Sequence, residues 1–122
     1  MKWPPLSLLV VIGLTALASW AWRSHVAAQD GELLAARVKP GDIRMISSET
    51  CPYCLAARRW MTQQSVPFKE CFIERDAQCR ADYQALGGIG TPTLVVRGQT
   101  VLGFDRARII EIFKQAEPSR QR

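Results

Sequence analysis

With 122 residues, 48% of them apolar, the chain has room for one folded domain and not two. Its formal charge of +5 calls for no nucleic acid, because residues 42–122 carry 12 Lys/Arg against 9 Asp/Glu with the signs interspersed, as on a solvated surface. No basic run with interleaved aromatics occurs, and no repeat or low-complexity tract.

Between Pro4 and Trp22 there is no charged residue. Discounting the proline pair leaves Leu6–Trp22, or about 25 Å of helix, at the short end of a bilayer span. The run is apolar all round and follows Lys2, so residues 1–22 read as a membrane or export segment rather than a buried core helix. Val26-Ala27-Ala28 offers a peptidase site, whereas a run longer than the usual signal core favours an uncleaved anchor. Arg23, Arg37 and Lys39 oppose export on a Lys/Arg count, and the signal-like N-terminus supports it. The expectation is a single-pass anchor in a bacterial inner membrane with a periplasmic domain. A cleaved periplasmic protein and a cytoplasm-facing one are the alternatives. Residues 23–41 read as a connector, punctuated by Gln29-Asp30-Gly31 and Lys39-Pro40-Gly41, with a helical turn at Glu32–Val38.

Residues 42–117 form the expected domain, followed by a polar tail, 118–122. Asp42–Ser47 predicts a short strand, Ser48-Glu49-Thr50 a polar turn, and Pro52 the first turn of a helix beginning at Cys51 and running through Leu55–Met61. Ser65-Val66-Pro67 breaks the pattern and Phe68–Ile73 alternates as a strand. Asp76 caps a helix reaching Leu86, which Gly87-Gly88 ends. Thr93–Val96 and Thr100–Phe104 are strands about a Gly98-Gln99 turn. Asp105 caps a last helix whose apolar face is Ile109, Ile110, Ile112 and Phe113, with Pro118 beyond its end. The order is β-α-β-α-β-β-α.

Cys51-Pro52-Tyr53-Cys54 carries the chemistry. Two cysteines separated by two residues at a helix mouth form a reversible dithiol/disulfide couple. First-turn N–H groups and the helix dipole favour the Cys51 thiolate, which makes Cys51 the attacking group. Cys54, three residues on and on the same face, resolves the mixed disulfide. Zinc fits poorly, because Cys71 and Cys79 make no second knuckle and His25, the only histidine, lies outside the domain. A purely structural Cys51–Cys54 bridge would close too small a loop to constrain the unfolded chain. Cys71 and Cys79 admit two readings, a second disulfide or buried small apolar residues. Tyr53 is expected at the mouth of the site, Trp60 in packing, and Arg58 and Arg59 facing solvent.

Three features together, Cys51-Pro52-Tyr53-Cys54, Thr91-Pro92 before the third strand and Gly103-Phe104-Asp105 before the last helix, make residues 42–117 resemble a glutaredoxin of the thioredoxin superfamily. The resemblance implies an α/β, thioredoxin-like fold with a four-stranded mixed sheet, and a monomer. It also implies a cis Pro92 facing Cys51, and a Thr91 backbone that pairs with the bound thiol compound or peptide like an added strand. The implied substrate contacts are Tyr53, Thr91, Pro92, Gly103, Phe104 and Asp105. No tightly bound cofactor and no metal are implied, and glutathione is the family's co-substrate. Ser48 stands where the family carries a basic residue, Leu102 replaces the first glycine of its Gly-Gly-x-Asp-Asp segment, and Arg106 replaces the second aspartate. These departures weigh against glutathione. Gly90-Thr91-Pro92 resembles the corresponding loop of periplasmic disulfide isomerases, which points to protein disulfides or thiols as partners. The expected function is thiol–disulfide exchange on protein disulfides, or on glutathione mixed disulfides, near the membrane. The alternative is a non-enzymatic iron–sulfur or soft-metal module of the same fold that uses Cys51 and Cys54.

Overall fold

The computed structural model describes residues 3–116, so the tail at 118–122, Pro118 included, lies outside the described residues. The elements follow the order α1 (Leu6–Arg37), β1 (Ile43–Ser47), α2 (Pro52–Gln63), β2 (Lys69–Phe72), α3 (Ala77–Ala85), β3 (Thr93–Val96), β4 (Gln99–Leu102) and α4 (Arg106–Gln115). The expected domain elements are all present, with ends within about two residues of those read from sequence, the scatter usual at frayed termini.

The four strands form one sheet in the order β2-β1-β3-β4. β1 and β2 run parallel, joined by the crossover helix α2, and the other pairings are antiparallel. Alternation along β1 assigns the helices to two faces. Ile43 and Met45 enter a buried cluster with Ala57 and Met61 of α2, Leu94 and Val96 of β3, and Ile109, Ile112 and Phe113 of α4. Arg44 and Ile46 point the other way, toward α3: Arg44 reaches Asp82 at 2.7 Å, and Cys71, the register partner of Ile46, is disulfide-bonded to Cys79 of α3. The result is the three-layer thioredoxin-like α/β fold.

The helices start where the chain supplies caps. Asp76 accepts from the N–H groups of Gln78 and Cys79, and Asp105 accepts from that of Arg108. Residue 51 itself caps α2, so the helix proper begins at Pro52 rather than at Cys51.

The N-terminal helix departs most from expectation. It does not stop at Trp22 but continues unbroken to Arg37, about 48 Å in all, so most of the stretch read as a connector is helical. Gln29-Asp30-Gly31 does not punctuate it, because packing outweighs the weak local signal. Ala27, Asp30, Gly31, Leu34 and Val38 fall on one face, the last three buried. At Gly31 the missing Cβ leaves space that the Gln64 side chain occupies; a methyl there would lie 2.2 Å from its Oε1. Leu34 and Val38 belong to the same buried cluster as α2 and α4. The helix ends at Val38, whose N–H closes on the Leu34 carbonyl, ahead of Pro40. Residues 3–22, by contrast, are exposed throughout.

Candidate active site

The end of β1 and the start of α2 bring Cys51 just past the C-terminal end of a central strand. Cys51 is partly buried and Cys54 fully so, and the two are joined as a disulfide. The Cys54 N–H donates to the Cys51 Sγ at 3.0 Å, so the sulfur takes the place a capping oxygen would occupy at a helix N-terminus. On reduction the same N–H and the helix dipole face the Cys51 thiolate, which favours ionisation. From across the site the Thr91 carbonyl oxygen lies 3.4 Å from the Cys51 Sγ, and the Thr91–Pro92 bond is cis.

A groove of ≈ 390 Å³ opens beside this pair, walled by Tyr53, Ala56 and Trp60 of α2, by Thr91 and Pro92, and by Gly103 and Phe104. Tyr53 stands 77% exposed at its mouth, free to contact a large partner. Trp60 does pack, against Phe104 with ring centroids 5.6 Å apart, yet it also forms a groove wall. Its indole N–H is buried without an acceptor among the described residues. Gly103 turns β4 into α4 at φ 75°, a conformation that favours glycine, and its N–H donates to the Pro92 carbonyl at 2.8 Å. That bond ties the groove's far wall to the Thr91–Pro92 segment. Of the sequence-derived candidates, Tyr53, Thr91, Pro92, Gly103 and Phe104 thus converge on one groove beside Cys51. Asp105 is committed to capping α4 and is not among its lining residues.

On the other side of Cys51, Ser48, Glu49 and Arg58 line a shallower recess. Arg58 does not face solvent as its helix position suggests. It forks onto Glu70 (Nε to Oε1 2.6 Å, Nη2 to Oε2 2.9 Å), and the buried Ser47 hydroxyl donates to the same carboxylate at 2.7 Å. The hydrogen bond to Glu70 raises the Arg58 pKa above its already high ordinary value, so this cation is permanent. Arg59 is exposed as expected. Ser48 donates to Glu74, whose other oxygen accepts from the Glu49 N–H at 3.1 Å, and Arg75 bonds Glu49. The Ser48 hydrogen bond holds the Glu74 carboxyl below the usual carboxylate range. At the Ser48 position this rim therefore presents no free cation: Arg58 is engaged by Glu70 and Arg75 by Glu49, while Glu74 holds Ser48.

At the groove's far end stands Arg106, the first residue of α4. Its guanidinium lies over the Trp60 ring, 5.2 Å from the centroid, and its buried Nη1, without a hydrogen-bond partner among the described residues, is 3.9 Å from Asp30 of α1, a long ion pair. Leu102 is 52% exposed. The Glu74–Ser48 and Arg106–Asp30 contacts join residues far apart in the chain, and no local pattern announces them.

Cys71 of β2 and Cys79 of α3 are disulfide-bonded, which decides between the two readings of that pair. Arg44 Nη2 donates toward Cys71 Sγ at 3.5 Å. The bridge lies on the α3 face of the sheet, opposite the layer that carries the groove.

Comparison with known proteins agrees with this geometry. The glutaredoxin family model matches residues 43–101. An uncharacterised glutaredoxin-like 8.6 kDa protein in the rubredoxin operon of Clostridium pasteurianum is 23% identical over 74 residues, 60% of this chain and 99% of that protein. Among solved structures, a variant of a thioredoxin-like protein superposes with TM-score 0.54 at 23% identity, covering 61% of this chain and 96% of the other. Methanosarcina acetivorans methanoredoxin gives TM-score 0.52 at 19% identity, over 65% of this chain and 90% of that one. At such identities the structural likeness speaks to the fold.

Proposed function

Because the folded domain of this chain belongs to the glutaredoxin family of the thioredoxin superfamily, we propose that it is a membrane-anchored thiol–disulfide oxidoreductase acting on protein disulfides. The observation that carries the reading is Cys51 at the N-terminus of α2, its sulfur capped by the Cys54 N–H and faced by the Thr91 carbonyl. In the reductive direction the Cys51 thiolate attacks one sulfur of a substrate disulfide. A Cys51–substrate bond forms and the other substrate sulfur leaves as a thiolate. The Cys54 thiolate then attacks Cys51, the mixed disulfide breaks, and the substrate leaves reduced while Cys51–Cys54 is oxidised. Run backwards, the same steps place a disulfide on a dithiol partner. The backbone at Thr91 supplies strand-like pairing for an extended substrate, and the Trp60–Phe104 groove accepts an apolar side chain beside the reacting cysteine.

Three observations favour protein substrates over glutathione. The rim beside Cys51 carries Ser48 where a free cation would stand, and the cations nearby are already engaged, Arg58 with Glu70 and Arg75 with Glu49, so a small carboxylate-bearing thiol meets no free positive charge. Leu102 fills the position of a backbone-exposing glycine, and Arg106 is occupied with Asp30 and Trp60. Anchoring is supported by α1, the one helix among the described residues long and apolar enough to cross a membrane. Trp3 stands near one end of its apolar run and Trp20 and Trp22 at the other, all exposed, as interfacial aromatics do. A periplasmic domain is supported by the Cys71–Cys79 bridge, since stable structural disulfides persist in oxidising compartments.

The reading is tested by resolving-cysteine trapping in native membranes. Cys54→Ser should accumulate mixed disulfides between Cys51 and protein partners, and Cys51→Ser should abolish both trapping and exchange. Faster alkylation of Cys54 than of Cys51 would refute the assignment of roles. An iron- or zinc-loaded protein without exchange activity would replace this reading with the metal-carrying one. Labelling of Cys51 by an impermeant thiol reagent in reduced, intact spheroplasts checks the topology.

A further inference from the structure

We propose that α1 is a rigid stalk that holds the Cys51 groove at a fixed, short height above the bilayer, so that the partners are integral membrane proteins whose exchangeable cysteines lie in juxtamembrane segments. The proposal rests on the anchored-exchange reading above and adds the location of the substrate.

The observations concern what lies between membrane and domain. From Leu6 to Trp22 the helical run is about 25 Å long, the short end of a hydrocarbon core, and carries no charge. Arg23, Ser24 and His25 alone separate it from Val26, the first partly buried residue of the docked half. No glycine or proline interrupts the helix from Leu14 to Asp30, and the Thr15 hydroxyl that bonds back to the Val11 and Ile12 carbonyls lies inside the apolar run, not between bilayer and domain. The docked half is fixed to the domain by Gly31 against Gln64 and by Leu34 and Val38 in the core, with Asp30 in a long ion pair to Arg106 beside them. A flexible tether would let the domain sweep a wide volume, whereas a helix continuous from bilayer to core transmits its position and rotation to the site.

The height follows from helix rise. Asp30 lies eight residues past Trp22, about 12 Å along the axis. Asp30 contacts Arg106, Arg106 covers Trp60, and Trp60 walls the groove, so the stalk meets the domain at the groove's own end. For a domain with a radius of roughly 15 Å, this keeps the Cys51 sulfur within roughly 27 Å of the bilayer surface. A disulfide at the tip of a tall ectodomain lies beyond that distance.

The full-length chain in phosphatidylethanolamine/phosphatidylglycerol vesicles tests this with two single-span peptides that carry the same disulfide loop. One places the loop about five residues beyond its apolar run and the other beyond a rigid helical spacer of about 45 Å. The near loop should exchange at least about tenfold faster, because the far one cannot be spanned. A flexible Gly/Ser insert of about 16 residues between Arg23 and Ser24, with an r.m.s. span of about 22 Å, should level the two rates. The insert should leave exchange with a soluble peptide of the same loop unchanged. Equal near and far rates in the parent chain, or a preference that survives the insert, overturn the stalk. A parent chain inert toward the soluble loop overturns the exchange reading itself, and the stalk proposal with it.

Discussion

Leu34 is where the membrane helix and the folded domain become one object, and Leu34→Ala measures how firmly they are joined. Its side chain is 1% exposed and shares a buried cluster with Met61, Ile109 and Phe113. Truncating a fully buried leucine removes its transfer free energy and leaves a cavity, together about 2–5 kcal/mol. A value of about 3 kcal/mol is a large part of the roughly 5–15 kcal/mol that stabilises a small domain. With a urea m-value of about 1 kcal/mol/M, it corresponds to a midpoint lowered by about 3 M. Pulse proteolysis of the full-length chain in nanodiscs over a urea series reads that midpoint. Leu14→Ala serves as the control, since Leu14 is 62% exposed on the apolar run and touches no core. A shift below about 0.5 M for Leu34→Ala would show that residues 26–38 do not pack as described, and the rigid stalk would fall with them.

Three further expectations are independent of that one. Ser48→Lys with Leu102→Gly, leaving Arg106 beside Asp30, should raise turnover of glutathionylated peptide several-fold; unchanged turnover, or a parent already efficient with glutathione, contradicts the discrimination argued from a rim without a free cation. Replacing both Cys71 and Cys79 by alanine opens a bridge spanning eight residues and should cost about 2–3 kcal/mol in denaturation while leaving Cys51 exchange intact, so a matching loss of exchange would tie the bridge to the chemistry. Glu74 has a depressed folded pKa, so its contribution is fully present above the unfolded carboxylate value of about 4.3 and is lost as pH falls through the folded one. Protection of the Glu49 amide, read by hydrogen exchange corrected for intrinsic rates, should therefore be flat from pH 6 to 8 and vanish only in acid, whereas Glu74→Gln should weaken it at neutral pH.

Much of the site was legible before any coordinates, because its parts are local. A proline one position past a capping cysteine, an aspartate before each later helix and a glycine where β4 turns into α4 each act within a few residues, and period-two and helical apolar patterns locate the elements between them. The dithiol, its likeness to glutaredoxins and the long apolar run belong to that class. What tertiary structure decided are events between distant residues. Arg58, an ordinary exposed helix charge by its spacing, was claimed by Glu70, and Arg106, read only as replacing an aspartate, lies over Trp60 with Asp30 nearby. Cys71 and Cys79, undecided as a pair in sequence, were joined by the docking of α3 on β2. Above all, Gln29-Asp30-Gly31 looked like punctuation because a glycine costs a helix about 1 kcal/mol. Burial of Leu34 and Val38 in a core built from residues up to 79 positions away outweighs that cost, and turns an apparent connector into the last four turns of the membrane helix.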